Sequence, residues 1–199
     1  MPKRVDHGGR RDQVARALWR IAADEGLRAV TLRRVAAEAG ISMNLVQYYF
    51  PTKVELVHHG LGRLLELAAE RRRAELTRVR TTGDLRLVLR TCLVGLLPVT
   101  EEGRVLSAVH DAYLSHALGD PGVRELLNRV PHHVADELVP VLRAAREAGA
   151  VPASVDPELE VTGLVAMASG LASGVLVGSY RVEEVVAVLD HRLAVLFGG

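Results

Sequence analysis

The chain has 199 residues and a single cysteine, Cys92, so no disulfide can form within it. That excludes a small scaffold stapled by cross-links, and Cys92, set in an apolar helical run, reads as a small core residue. Lysine is nearly as scarce. Only Lys3 and Lys53 occur, and every other basic side chain but histidine is arginine. Aromatic residues make up 4% of the chain while 49% is hydrophobic, which leaves the core to leucine, valine and alanine and fits helices. No segment alternates apolar and polar residues as a strand would, and there is no internal repeat or low-complexity tract. The common signatures of catalysis are missing as well: no glycine-rich phosphate loop, no CxxC, no HExxH and no GxSxG. His58-His59 and His132-His133 are adjacent pairs, whose members point about 100° apart on a helix and cannot present two ligands on one face. His110 and Asp111 look like part of an acid–base set, but nothing supplies a nucleophile or a metal. No enzymatic activity, catalytic residue, metal or cofactor is therefore expected. The basic N-terminus lacks the apolar stretch of a secretory signal, so the expected setting is the reducing cytoplasm.

The charge that is present is unevenly placed. Residues 1–80 carry 16 Lys and Arg against 9 Asp and Glu, whereas residues 81–199 carry 9 against 15. A basic first part joined to an acidic remainder points to a polyanionic partner at one end only. Residues 1–10, with Lys3, Arg4, Arg10 and the Gly8-Gly9 pair, read as a flexible basic arm. A first helix is expected from about Arg11 to Asp24, with Val14, Leu18, Ile21 and Ala22 inward and Trp19 packing beside them. Gly26 ends it.

The most informative stretch runs from Thr31 to Lys53, TLRRVAAEAGISMNLVQYYFPTK. Thr31 can cap a short helix that carries Val35, Ala36 and Ala39 on one face. Gly40 then suits the left-handed residue that closes a helix. Ser42 can cap a second helix, Met43 to Phe50, which turns Val46 and Phe50 inward and leaves Asn44, Gln47 and Tyr48 on its other sides. Pro51 stops it, and Thr52-Lys53-Val54-Glu55 has the form of a capping box for the next helix. Two short helices about a glycine turn make a helix-turn-helix, whose second helix can enter the major groove. From Arg11 to about Leu61 the string, with A-A-E-A-G-I-S and Y-Y-F-P-T-K, closely resembles the DNA-binding domain of tetracycline-repressor (TetR) family regulators. It departs where that family commonly has Gly-Thr-Leu-Tyr and this chain has Asn44-Leu45-Val46-Gln47. The scaffold matches, and the base-reading surface is its own.

The remainder reads as helices: a long one from Lys53 to about Arg80, one from Asp84 to Pro98, one from about Thr100 to Gly119, and one capped by Asp120-Pro121. Pro131 should begin a fresh helix, and Pro140 should kink it. The Arg71-Arg72-Arg73 run reads better as a solvated face than as a nucleic-acid patch. Residues 161–180 are 20 residues without a charge, long enough to cross a bilayer. Their many glycines and serines favour the other reading, a helix buried on all sides. Residues 181–197 are amphipathic again. The expected architecture is all-α, with a DNA-binding domain at 1–55 and a larger ligand-binding and dimerisation domain at 56–199.

The candidates for base edges are Arg33, Met43, Asn44, Leu45 and Gln47: arginine can fork to guanine, Asn and Gln can pair with adenine, and leucine can meet a thymine methyl. For phosphates they are Thr31 and Ser42 at helix N-termini, with Tyr48 and Lys53; the resemblance also implies that Thr31, Tyr48 and Lys53 grip the backbone. The resemblance further implies a homodimer on a palindromic operator, acting as a repressor that a small molecule releases. Candidate lining for an apolar ligand cavity is Leu61, Leu65, Cys92, Leu96, Val109, Tyr113, His116 and Leu138. A dimer seam is expected along Gly163, Gly170, Gly174, Gly178, Val186, Leu189 and Leu193, since residues 161–180 offer water no polar face. Two competing readings are a helical interaction protein that does not bind an operator and a C-terminally membrane-anchored protein.

Overall fold

A computed structural model of the protein describes residues 7–198. Among them there is no strand, and nine α-helices and one 3₁₀ turn make up the regular structure. The described residues fall into two compact units. One holds residues up to Leu67 together with Ala108–Leu127, and the other holds Ala68–Ser107 together with residues from Asn128 onward.

The first unit contains α1 (His7–Glu25), a 3₁₀ turn (Leu27–Ala29), α2 (Leu32–Ala39), α3 (Met43–Tyr49) and the start of α4 (Lys53–Arg80). To these it adds the end of α6 (Glu101–Ala117) and the start of α7 (Pro121–Glu147). Val14, Leu18 and Ile21 of α1 are buried, as are Val35, Val46, Phe50, Leu56 and Leu61, each on the apolar stripe of its helix. Two aromatic side chains tie neighbours onto α4. The Trp19 indole donates to the Gly60 carbonyl at 2.9 Å, and the Tyr113 hydroxyl donates to that of Val57 at 2.9 Å. Gly60 is required where they converge. A Cβ there would lie 2.8 Å from the Tyr113 oxygen and 3.1 Å from a Leu18 methyl.

The second unit is built from α5 (Leu85–Val94), α8 (Pro157–Leu176), α9 (Val182–Leu196) and the remaining parts of α4, α6 and α7. Leu89, Cys92, Leu93, Leu138, Leu142, Leu164, Leu189 and Leu193 form its core. Charged pairs tie its helices: Arg72 to Glu137 at 2.6 Å, Arg90 to Asp190 at 2.5 Å, and Arg192 to Glu160 at 2.6 Å. The arginine run is therefore engaged with the protein's own carboxylates and helix carbonyl, with Arg71 near Glu75 and Glu102 and Arg73 on the Ala69 carbonyl.

Several sequence expectations change. The first helix begins at His7 rather than Arg11, its opening turn supported by Arg10 donating to Gln13 at 2.7 Å. Of the expected basic arm at 1–10, residues 7–10 are thus helical, and residues 1–6, with Lys3 and Arg4, lie outside the described residues. Pro131 does not start a helix, because α7 runs unbroken from Pro121 to Glu147, through Pro140 as well. A proline removes one amide from the helix ladder, a loss that buried side chains such as Leu127, Val134 and Leu138 outweigh. Helix α8 is long and apolar enough to cross a membrane by length and composition, and 28% of its most apolar stretch is buried in the chain.

Candidate nucleic-acid interface

Thr31 and Ser42 perform the capping that their chemistry allows. Each has extended backbone, and its side-chain oxygen accepts an amide bond three residues on, from Arg34 at 3.1 Å and from Leu45 at 3.2 Å. Between the two helices Gly40 adopts φ 65°, a left-handed conformation that any Cβ would disfavour. Its amide reaches back to the carbonyls of Ala36 and Ala37, so the turn closes tightly. Gln13 of α1 adds a bond at 2.8 Å to the Ala39 carbonyl at the end of α2. The third cap is a side-chain pair: the Glu55 amide donates to Thr52 Oγ1 at 3.1 Å, and that hydroxyl donates to the Glu55 carboxylate at 3.1 Å.

A set of charges holds α2 against α1. Arg34 bridges Glu25 at 2.8 Å and Glu38 at 3.0 Å, and Glu38 also takes Arg20 at 2.7 Å. Hydrogen bonds from Arg20, then Arg34, keep the Glu38 carboxyl below its ordinary value, so it stays charged and bound to them. These arginines are spoken for. Arg33, one position earlier, projects outward and is exposed.

Helix α3 has one buried side. Val46 is wholly buried, and Phe50, the residue that closes the helix, is 1% exposed. The outer side carries Ser42, Met43, Asn44, Gln47 and Tyr48, all exposed, with Leu45 half-buried beside them. Tyr48 is 71% exposed and stands edge-on to Tyr49. Every base-edge candidate except Arg33 is therefore gathered on one short helix, and Arg33 lies on its α2 partner. Lys53 is half-buried, and its ammonium donates to the carbonyls of Leu27 and Arg28 at 3.4 Å each, a local role that spacing alone did not suggest. Those contacts hold the 3₁₀ turn between α1 and α2 and leave Arg28 exposed next to it.

The other candidates disperse. Leu61, Leu65, Val109, Tyr113 and His116 belong to the first unit, and Cys92, Leu96 and Leu138 to the second. Leu61, Val109, Tyr113, Cys92 and Leu138 are buried, whereas Leu65, Leu96 and His116 are half-buried. Burial pushes the Cys92 thiol up to about 12, which leaves it an unreactive core group. The polar tip of Tyr113 finds its partner in the Val57 carbonyl. His116 faces Asp120 at 3.7 Å. An open groove of the second unit is lined by Ala135, Asp136, Val139, Pro140, Glu158 and Thr162, none of them among these eight.

Of the seam residues, Gly163, Gly170 and Gly178 are exposed, Gly174 lies under the Tyr180 ring, and Val186 is half-buried. Leu189 and Leu193 turn into the protomer's own core, where both are fully buried. The outward side of α9 instead carries Ala187, Val188, His191 and Val195. Among the described residues no group of three or more His, Cys, Asp or Glu is arranged to hold a metal ion.

A capped helix pair about a left-handed glycine, with one helix packed from behind and polar along its front, is a helix-turn-helix DNA-binding module. Comparison with known proteins agrees at both ends of the chain. Residues 15–59 match the model of bacterial regulatory proteins of the tetR family, and residues 86–198 match that of the BetI-type transcriptional repressor C-terminal domain. The chain belongs to the TetR family and is a DNA-binding transcriptional regulator. It is 26% identical to the HTH-type transcriptional regulator PksA of Bacillus subtilis (strain 168) over 184 residues, 92% of this chain and 87% of that one. A crystal structure of a transcriptional regulator from Rhodococcus sp. Rha1 superimposes with a TM-score of 0.81 at 27% identity, covering 95% of this chain and 96% of that one. One from Saccharomonospora viridis, in complex with choline, shares the fold with a TM-score of 0.84 at 24% identity, covering 93% and 95%.

Proposed function

We propose that the protein is a cytoplasmic homodimeric repressor that holds a palindromic operator until a small molecule releases it. Residues 1–55 grip the DNA, and residues 56–199 bind the ligand and dimerise. One observation carries the DNA part: α3 is capped at Ser42, packed behind at Val46 and Phe50, and open in front at Met43, Asn44 and Gln47. Asn44 and Gln47 pair with adenine edges, Arg33 forks to guanine, and Met43 and Leu45 give apolar contact to thymine methyls. Thr31, Ser42, Tyr48 and Lys53 position the protein on phosphates. In this reading Lys53 serves the backbone from a fixed place, because its ammonium is already set at the 3₁₀ turn.

The homodimer is supported by α8. Leu159 and Val177 are 73% and 77% exposed, with Gly163 and Gly170 between them, an apolar side with little reason to face water. A second copy covers it, with Val188 and Val195 of α9 contributing from the neighbouring helix. Release by a small molecule rests on family membership and on the choline-bound S. viridis neighbour. A gel shift on the DNA upstream of the protein's own gene tests the central part. A discrete complex that survives excess unrelated DNA is expected, and competition to completion by unrelated DNA defeats the reading.

A further inference from the structure

His58 and His59 are neighbours on α4 with opposite surroundings. His58 Nε2 lies 3.0 and 3.2 Å from the two carboxylate oxygens of Asp120, a partner ready to hold an imidazolium. The His59 ring instead packs on Phe50, with ring centroids 4.9 Å apart, and its Nε2 is buried without a hydrogen-bond partner. Phe50 closes α3 by returning its amide to the Val46 carbonyl at 2.8 Å, so the His59 contact secures the C-terminal end of that helix to α4. Arg11 of α1 also stands on the Phe50 ring, 5.0 Å from its centre.

With Nε2 buried and unpartnered, the neutral ring is better placed carrying its proton on the other nitrogen. Nε2 is then the bare acceptor of the neutral ring, and taking up a proton would create a buried N–H with nothing to receive it. It would also put a second positive charge beside Arg11. The charged groups facing His59 are Arg11 and Asp12 on α1 and Glu66 on α4. Asp12 and Glu66 are both already paired with Arg63, at 3.0 and 3.1 Å. Burial first, and then Arg11, hold the imidazole below its ordinary value.

We infer that the Phe50–His59 contact is an acid-sensitive joint: protonating His59 opens the α3–α4 junction and weakens DNA binding. This rests on the proposed DNA-binding role, while the opening itself does not. A base depressed in the folded form contributes stability above the ordinary imidazole range, near pH 6.5, and that contribution is lost as pH falls through it.

The test follows amide exchange at Val46 and Phe50, corrected for intrinsic rates, at pH 7.5 and 5.5 in wild type, His59→Gln, His59→Phe and His58→Gln. One proton taken up across that range makes opening about tenfold more frequent in wild type and His58→Gln. Both His59 variants should lack this increase. Operator affinity at constant salt should fall from pH 7.5 to 5.5 in wild type and not in the two His59 variants. Parallel exchange profiles in wild type and whichever His59 variant folds would overturn the joint. Opening without loss of affinity would overturn its link to DNA. A wild type that binds no DNA at pH 7.5 would defeat the DNA-binding role and that link with it, while the exchange data still decide the joint.

Discussion

The hydroxyl of Ser42 accepts one amide bond, and the orientation of every exposed side chain on α3 depends on the helix that bond begins. Ser42→Ala and Thr31→Ala should each lower stability by about 1 kcal/mol, the usual cost of losing a cap, seen as an earlier urea midpoint with an unchanged slope. Lys53→Ala removes a positive charge and two 3.4 Å contacts to the 3₁₀ turn. It should weaken binding to all sequences alike and flatten the salt dependence by roughly one charge, as measured by affinity over a salt series. Asp120 gives a pH prediction of its own. Burial alone would raise its carboxyl, but the amides of Val123 and Gly122 and the His58 ring outweigh it and hold the group below the usual range. Stability from a depressed carboxylate is complete above the ordinary value near 3.9 and lost as pH falls below it. Asp120→Asn should therefore reduce the wild type's loss of thermal stability below about pH 4, read as the melting temperature over a pH series.

Among the elements, Gly60 sets two effects against each other. Alanine is the better helix former by about 1 kcal/mol, whereas overpacking a core costs about 1–3 kcal/mol. The new Cβ would meet the Tyr113 hydroxyl and the Leu18 methyls together, which cannot all yield, so Gly60→Ala should destabilise. A urea midpoint at or above that of wild type would contradict this. The same scale shows what local pattern reveals. Caps at Thr31 and Ser42 are legible because a cap depends on three or four neighbouring residues, and each oxygen accepts the expected amide. Pro131 was misread because a proline's local cost says nothing of the packing that overrides it. Leu189 and Leu193 are expected on the partner-facing side because the apolar stripe of an amphipathic helix does not tell its own core from another copy's. The candidate cavity residues were legible as apolar and helical, but their division between two units depends on long-range packing that spacing does not encode. The contact of His59 with Phe50 and the bonds of Lys53 to the 3₁₀ turn are not legible for a related reason: the partners lie 9 and about 25 residues away, on other elements.

For the whole molecule, assembly and DNA reading are separable. Gly170 has open space around it within one chain, so Gly170→Glu should leave the protomer folded. Buried unpaired at a seam between copies, the same carboxylate should break the dimer. Sedimentation at micromolar concentration should show a wild-type dimer and a variant monomer with unchanged helical signal; a wild-type monomer would end the dimer proposal. The central claim is that α3 reads bases through its exposed front, and selection of binding sites from random DNA at matched salt tests it most directly. The wild type should enrich a palindrome. Gln47→Ala should lose preference at one base pair per half-site, a discrimination of about 1–3 kcal/mol, and keep the rest. Identical preferences in the two proteins would contradict the role given to Gln47, and a wild type that enriches no palindrome would contradict the proposed dimeric operator complex.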